Sequence, residues 1–410
     1  MTTRIAFLSL HSSPLAKIGT VDAGGMNVYV GRLAEELARL DVQVDIFTRR
    51  TSSGTPEIVE GKHGVRVVHL DAGPARQVPK SALPLYVPAL AASYSRFTKR
   101  HCLEYDLLHA HYWLSGLVGL EVRGGAPLVA MFHTLARVKE FYSGGPDPSD
   151  SSLRYEGERR VMENADAVTV ATADEELHME RLYGVKPLNY VAIPPGVDLR
   201  RFSPGDKEKS RQRLQIAADK TVLFVGRLDP IKGLDALLWA MADIRPRTPQ
   251  TLKLVVVTDT GEESPRYLRY RKLASGLGLD GVVEFRDLVP QKTLAHYYRA
   301  ADVCVVPSAY ESFGMAAVEA MACATPVVAF RVGGLASTIA HDETGYLASP
   351  GSRQDLAQQL FRAVTSDDLP AMGARARDAV EQYSWARTAG KTRDLYDRMR
   401  ETVAESLTGA

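Results

Sequence analysis

The chain has 410 residues, of which 45% are hydrophobic and 24% charged, with a formal net charge of +1. That length exceeds one ordinary domain and predicts two, each able to bury a full core without disulfide or metal staples. The near-neutral balance argues against a nucleic-acid partner, which would leave a basic stripe; the arginine pairs at 49–50, 159–160 and 200–201 are isolated and read as solvated surface.

From the N-terminus, Ile5-Ala6-Phe7-Leu8 forms an apolar run too short for a signal peptide and soon broken by His11 and Pro14. Arg4–Leu10 reads as a buried strand. Asn27–Leu40 carries Val30, Leu33, Leu37 and Leu40 at helical spacing, and Val42, Val44 and Ile46 alternate as a second strand. Further strands are predicted at 65–70, 106–111, 128–133 and 167–171, with helical stretches between several of them. Such alternation predicts a parallel sheet covered on both faces. The pattern restarts after residue 190. Tyr190–Ile193 leads into Pro194-Pro195-Gly196 and then Phe202-Ser203-Pro204-Gly205, two proline clusters that read as an interdomain hinge. A second series follows, with strands at 222–226, 252–257, 282–285, 303–307 and 327–330 and helices at 207–214, 234–243, 267–277 and 292–300. The amphipathic tail from Trp385 to Thr402 reads as a final helix. The predicted architecture is α/β, with two facing Rossmann-like domains and parallel sheets. Residues 1–195 form the first domain, joined by a C-terminal helix of about 385–410, and residues 196–384 form the second.

The cysteines Cys102, Cys304 and Cys323 show no CxxC spacing, and Cys304 lies in a core-like apolar run. An odd, unpatterned count fits a reducing cytosol, so the expected location is cytoplasmic. No stretch of eighteen apolar residues occurs, so no membrane span is expected.

Ligands of open parallel sheets bind beyond the carboxyl ends of strands, so motifs just after strands are the candidates. The first is Gly19-Thr20-Val21-Asp22-Ala23-Gly24-Gly25-Met26-Asn27. Its paired glycines permit close backbone approach, and the helix that follows favours an anion. The spacing is not the dinucleotide fingerprint, and a plain strand–helix turn explains a glycine pair equally well. The second is Gly226-Arg227-Leu228-Asp229-Pro230-Ile231-Lys232-Gly233, whose two cations can neutralise a diphosphate or simply be solvated on a loop. The third runs from Pro307 through Glu311-Ser312-Phe313-Gly314-Met315 to Glu319. A helix expected to begin near Phe313 offers N–H groups to phosphate, while Glu319 can bond ribose hydroxyls. Eight residues apart, Glu311 and Glu319 do not share a helix face, so spacing does not make them an acid–base dyad. His109 and His111 alternate at a strand end, but no further metal ligand is placed by sequence, which favours hydrogen bonding over metal binding.

Together these motifs resemble those of the large retaining glycosyltransferase family with the GT-B fold. Glu311 and Glu319 fit its pair of glutamates separated by seven residues, and Arg227 with Lys232 fits its diphosphate-binding pair. Within that family the segments 11–15, 22–30, 109–116 and 133–135 look like the mycothiol-pathway branch, which joins N-acetylglucosamine to inositol phosphate. Sucrose-phosphate synthases are similar but usually carry glutamine where Met26 stands. The resemblance implies His133, Arg227, Lys232 and Glu311 as catalytic residues. It implies Gly25, Asn27, Ser312, Phe313, Gly314, Met315 and Glu319 as donor-binding residues. It implies Lys80, Tyr112, Thr134 and Arg154 as a cage for an acceptor phosphate, although nothing in their spacing brings these four together, and Lys80 alone reads as a solvated lysine.

The sequence also departs from the pattern. Thr258-Asp259-Thr260-Gly261 stands where the family usually has a Gly-Gly pair, which leaves the donor sugar open. Tyr155 replaces a usual second arginine beside Arg154, which leaves the acceptor open. The expected activity is retaining transfer from a nucleotide diphosphate sugar, UDP-linked, to an inositol phosphate. The alternatives are transfer to fructose 6-phosphate and nonhydrolysing nucleotide-sugar epimerisation; a noncatalytic sugar-nucleotide binder is disfavoured by the intact motifs. No cofactor is required on this reading, since the nucleotide sugar is a substrate, and Mg2+ is not indicated. The expected partners are a small-molecule donor and acceptor, with a homodimer as the candidate assembly.

Overall fold

A computed structural model describes residues 3–16, 25–143, 145, 152–259, 261 and 264–408. The chain divides into two compact units, residues 1–196 with 385–410, and residues 197–384.

The first unit is built on strands β1 (Arg4–Leu8), β2 (Gln43–Arg49), β3 (Ile58–Glu60), β4 (Arg66–Leu70), β5 (Leu107–His111), β6 (Leu128–Met131), β7 (Ala167–Val170) and β8 (Tyr190–Ala192). They form one sheet in the order β3-β4-β2-β1-β5-β6-β7-β8. Every pair is parallel except β3 on β4. The second unit holds β9 (Lys220–Val225), β10 (Leu252–Thr258), β11 (Val283–Asp287), β12 (Val303–Val306), β13 (Val327–Phe330) and β14 (Gly345–Ala348). These lie in the order β11-β10-β9-β12-β13-β14, parallel throughout.

Helical spacing becomes packing in the helix Gly25–Ala38. Its Val30, Leu33 and Leu37 are fully buried against Ile5, Phe7, Val44 and Ile46, while Leu40 is only partly buried. Each such aliphatic side chain contributes about 1.5–3 kcal/mol through burial. The helix Trp385–Thr408 joins the same core through Trp385, Ala389, Leu395 and Tyr396. A Thr388 hydroxyl hydrogen bond to the Pro194 carbonyl, 2.9 Å, fixes its start.

The pattern did not predict β3 or β14. Three residues at an antiparallel edge carry too little alternation to register. In β14, the glycine that weakens the strand signal is required by the pairing, because a Cβ on Gly345 would lie 2.4 Å from the Val327 carbonyl oxygen. The strand predicted over 128–133 stops at Met131, because His133 turns into the left-handed region at φ 61°.

Both sheets grow outward in two directions from their first strand. The direction switches between β1 and β5 in one unit and between β9 and β12 in the other. At such a switch the loops leave the carboxyl edge in opposite senses and open a crevice.

Candidate functional site

In the first unit, β1, β5 and β6 are neighbours, so His11, Tyr112 and His133-Thr134 emerge side by side. The loop after β1 is pinned by Asn27, whose amide donates to Ser12 Oγ at 2.7 Å and to the Ser13 carbonyl at 2.6 Å. Asn27 thus shapes this loop, and Gly25 is exposed at the helix start. Residues 19–24 of the same motif lie outside the described residues. Tyr112 adopts φ 79°, ψ 152°, a conformation essentially confined to glycine, and its N–H donates to the Met131 carbonyl at 2.8 Å. Backbone outliers of this kind cluster at functional sites.

Arg154 contacts Tyr112 and Thr134 beside His11, and Lys80 acts on the same His11 through its charge. The His11 ring lies 4.1 Å from that of Tyr112. Desolvation first, then the positive charges of Lys80 and Arg154, push its pKa down to about 3. Arg154 stacks its guanidinium 5.2 Å over Tyr112 and donates to the Thr134 hydroxyl at 3.2 Å and carbonyl at 3.1 Å. Lys80 and Thr134 are exposed, Tyr112 is half-buried and Arg154 is buried. The charge of Arg154 is met from below by Glu158, fully buried, which accepts from Arg154 Nε at 2.8 Å. Glu158 also takes the Ala136 N–H at 3.1 Å and the Tyr183 hydroxyl. Burial still raises its carboxyl above the usual range, with Arg154 and these donors opposing the shift. Tyr155, at the departure from the family pattern, donates instead to Glu140 at 3.0 Å and lies beneath Arg137.

His133 joins this edge through His111, Nδ1 to Nε2 at 3.1 Å. Behind them His109 Nδ1 lies 2.6 Å from the Tyr396 hydroxyl. Burial lowers the pKa of His109 and His133 to about 3, so both are neutral.

In the second unit, β9 and β12 are neighbours, which lays the loop 226–233 beside the loop 307–314. The Ala309 N–H donates to the Ile231 carbonyl at 2.8 Å. Gly233, at φ 69°, makes this approach possible, since a Cβ there would sit 1.9 Å from the Pro307 carbonyl oxygen. Lys232 Nζ and Glu311 Oε1 then meet at 2.5 Å, with Ser308 Oγ donating to the same oxygen at 2.9 Å. Arg227 is exposed and pairs with Asp229 at 3.0 Å, and Asp229 also pairs with Arg266. Each cation of the motif therefore has a carboxylate partner.

The helix begins at Met315 rather than Phe313, after Gly314 at φ 89°. Phe313 turns its ring inward to Tyr383, 5.2 Å between centroids, while Ser312 and Met315 are half-buried at the start of the element. Glu319 is buried and accepts from the Tyr298 hydroxyl at 2.9 Å; burial raises its pKa to about 7. The two glutamates are thus distinct in environment, one ion-paired and one held in the core. At the other departure from the family pattern, Thr258 ends β10 buried and Asp259 is exposed.

Glu158, Tyr183 and Tyr298 lie outside the sequence motifs, whereas Ser308 and His11 lie within them without an assigned role. The i, i+4 spacing of Arg154 and Glu158 was the one available signal. Among the described residues no three His, Cys, Asp or Glu are grouped to hold a metal ion, and no helix is long and apolar enough to cross a membrane.

The family "Glycosyl transferases group 1" matches residues 206–379, and "Glycosyl transferase 4-like domain" matches residues 24–196. The chain is 41% identical to D-inositol 3-phosphate glycosyltransferase 2 of Catenulispora acidiphila, covering 98% of this chain and 96% of that one. It is 42% identical to D-inositol 3-phosphate glycosyltransferase of Kineococcus radiotolerans over 98% of this chain and 97% of that one. Among solved structures it is similar to sucrose-phosphate synthase from Thermosynechococcus elongatus, with 34% identity, a TM-score of 0.87 and coverage of 98% and 100%. With both units matched and full-length relatives well above the level at which a family is shared, this chain belongs to the group 1 glycosyltransferases and has the GT-B fold.

Proposed function

We propose that this enzyme transfers a sugar, with retention of anomeric configuration, from a UDP-linked donor to an inositol phosphate. The observation that carries the acceptor reading is the contact of Arg154 with Tyr112 and Thr134 beside His11, with the charge of Lys80 acting on the same His11. Two cations with two hydroxyl-bearing side chains suit a phosphate dianion, each charged hydrogen bond contributing about 1.5–3 kcal/mol. The relatives at 41–42% identity, both D-inositol 3-phosphate glycosyltransferases, support the same acceptor.

The first unit binds the acceptor on this reading and the second the donor. Arg227 and Lys232 stabilise the departing diphosphate, and because charge develops there only as the bond breaks, their effect falls on turnover. Glu311 holds Lys232 in place and orients sugar hydroxyls, Glu319 meets the ribose, and the main chain at Ser312–Met315 meets phosphate. Gly25 and Asn27 shape the loop beside the donor sugar, and His133 contacts that sugar. A donor phosphate oxygen takes the acceptor proton, so no side chain is glycosylated. No metal or other cofactor enters this scheme.

A second reading, transfer to fructose 6-phosphate, is supported by the likeness to sucrose-phosphate synthase. The test is a panel of UDP-N-acetylglucosamine and UDP-glucose against inositol phosphate, fructose 6-phosphate and free inositol, monitored for UDP release. Fastest release with inositol phosphate is expected. Preference for fructose 6-phosphate selects the second reading, and faster turnover of free inositol overturns the phosphate cage.

A further inference from the structure

The contact between His111 and His133 carries a consequence for which proton His133 holds. Both rings are neutral, kept so chiefly by burial. Two neutral imidazoles 3.1 Å apart bond only if one nitrogen brings the proton and the other the lone pair. The remaining nitrogen of His111 decides which. His111 is fully buried, and its Nε2 has no hydrogen-bond partner among the described residues. The ring is enclosed by Phe7 at 4.9 Å, His109 at 4.3 Å and Tyr29 at 5.9 Å between centroids. Were His133 the donor, the proton of His111 would have to sit on Nε2, an orphaned N–H sealed among rings. With His111 as donor, Nε2 carries only a lone pair. Orphaned buried N–H groups are the rarer of the two in folded proteins.

We propose that His111 is a positioning residue that donates from Nδ1 to His133 Nε2 and so fixes His133 as its Nδ1–H tautomer. His133 then presents a hydrogen-bond donor, not an acceptor, from the nitrogen that His111 does not engage, and the group it recognises is an oxygen lone pair such as that of a sugar hydroxyl. The left-handed turn at His133, φ 61°, is the backbone arrangement that brings its ring onto this partner. The tautomer assignment stands on the geometry of the first unit; the consequence for turnover rests on the proposed contact of His133 with the donor sugar.

The test is two-bond proton–nitrogen correlation spectroscopy on the full chain labelled with 15N-histidine at pH 7.5, with His133 assigned by loss of its signals in His133→Gln. The wild type is expected to show His133 protonated on Nδ1. His111→Phe, which fills the ring cluster but cannot donate, is expected to move His133 to the Nε2–H form or a mixture. His111→Asn, whose amide can place an N–H near the position of Nδ1, is expected to keep the Nδ1–H pattern. In parallel His111→Phe should lose about tenfold in kcat with the acceptor KM unchanged, and His111→Asn should recover most of it. A wild-type spectrum with His133 protonated on Nε2 overturns the proposal, and that spectrum decides even if His111→Phe fails to fold. If the tautomer shifts as expected while kcat is unaffected, the positioning assignment stands and the sugar contact of His133 is what fails.

Discussion

Replacing Tyr112 by glycine is expected to leave a more stable protein than replacing it by alanine, the reverse of the usual order. At φ 79°, ψ 152° a residue with a Cβ is held in a conformation that costs about 1–3 kcal/mol. Tyr112 also caps the start of the helix Trp113–Val122, a position where glycine is preferred to alanine. Against this, glycine gives the unfolded chain more freedom, worth about 0.5–1 kcal/mol. The balance favours glycine by about 1 kcal/mol, or about 2–4 °C in melting temperature for a unit of this size. Both substitutions delete the same ring, with its contacts to Arg154 and His11, so those losses cancel in the comparison. Scanning calorimetry of Tyr112→Ala and Tyr112→Gly measures the difference. Tyr112→Gly melting below Tyr112→Ala would refute the argument that the backbone is strained here. Activity separates from stability in the same pair, because both variants lack the ring and hydroxyl and should turn over a phosphorylated acceptor poorly.

Lys80→Ala and Arg154→Ala should each lower kcat/KM roughly ten- to a hundredfold with a phosphorylated acceptor, and much less with its unphosphorylated counterpart. Equal losses with both acceptors would mean these residues serve the fold. Arg227→Ala and Lys232→Ala should each reduce kcat on the order of a hundredfold, about 2.7 kcal/mol; steady-state kinetics showing only a raised donor KM would make them passive anchors. Glu319 has its carboxyl raised by burial from an ordinary value of 4.5 to about 7, so between those pH values the folded chain keeps a proton the unfolded chain has released. The Glu319 contribution to stability should therefore fall as pH rises from about 4.5 to about 7, by about 3 kcal/mol in the limit. Glu319→Gln should flatten that fall in urea titrations across this range, and an unchanged slope would count against the burial argument. The desolvated histidines act in the opposite sense. His11, His109 and His133 are depressed from 6.5 to about 3, so protonating the unfolded chain should erode stability progressively as pH falls below 6.5. In the Glu319→Gln variant, which lacks the opposing carboxyl, a melting temperature that stays level between pH 7 and pH 5 would contradict it.

The α/β class, the restart of the pattern after residue 190, and the loops that carry Arg227, Lys232, Glu311 and His133 are legible in the sequence alone. Buried parallel strands are continuous apolar runs and their ligand loops follow them directly, so both features are local and legible. The edge strands β3 and β14 are not legible, because three residues in one and an obligatory Gly345 in the other leave too short an apolar run. The convergence of Lys80, Tyr112, Thr134 and Arg154 was also beyond local reading, since no spacing joins four separate segments. Folding alone brings Tyr112, Thr134 and Arg154 into contact. Placing β5 beside β1 and β6 beside β5 sets His11, Tyr112 and His133-Thr134 on one edge, and the helix Ser152–Asn164 then lays Arg154 across them. The fully buried Glu158 could be assigned its role only there. A carboxylate without a partner is too costly to bury, and its partners Arg154, Ala136 and Tyr183 are brought to it by the fold.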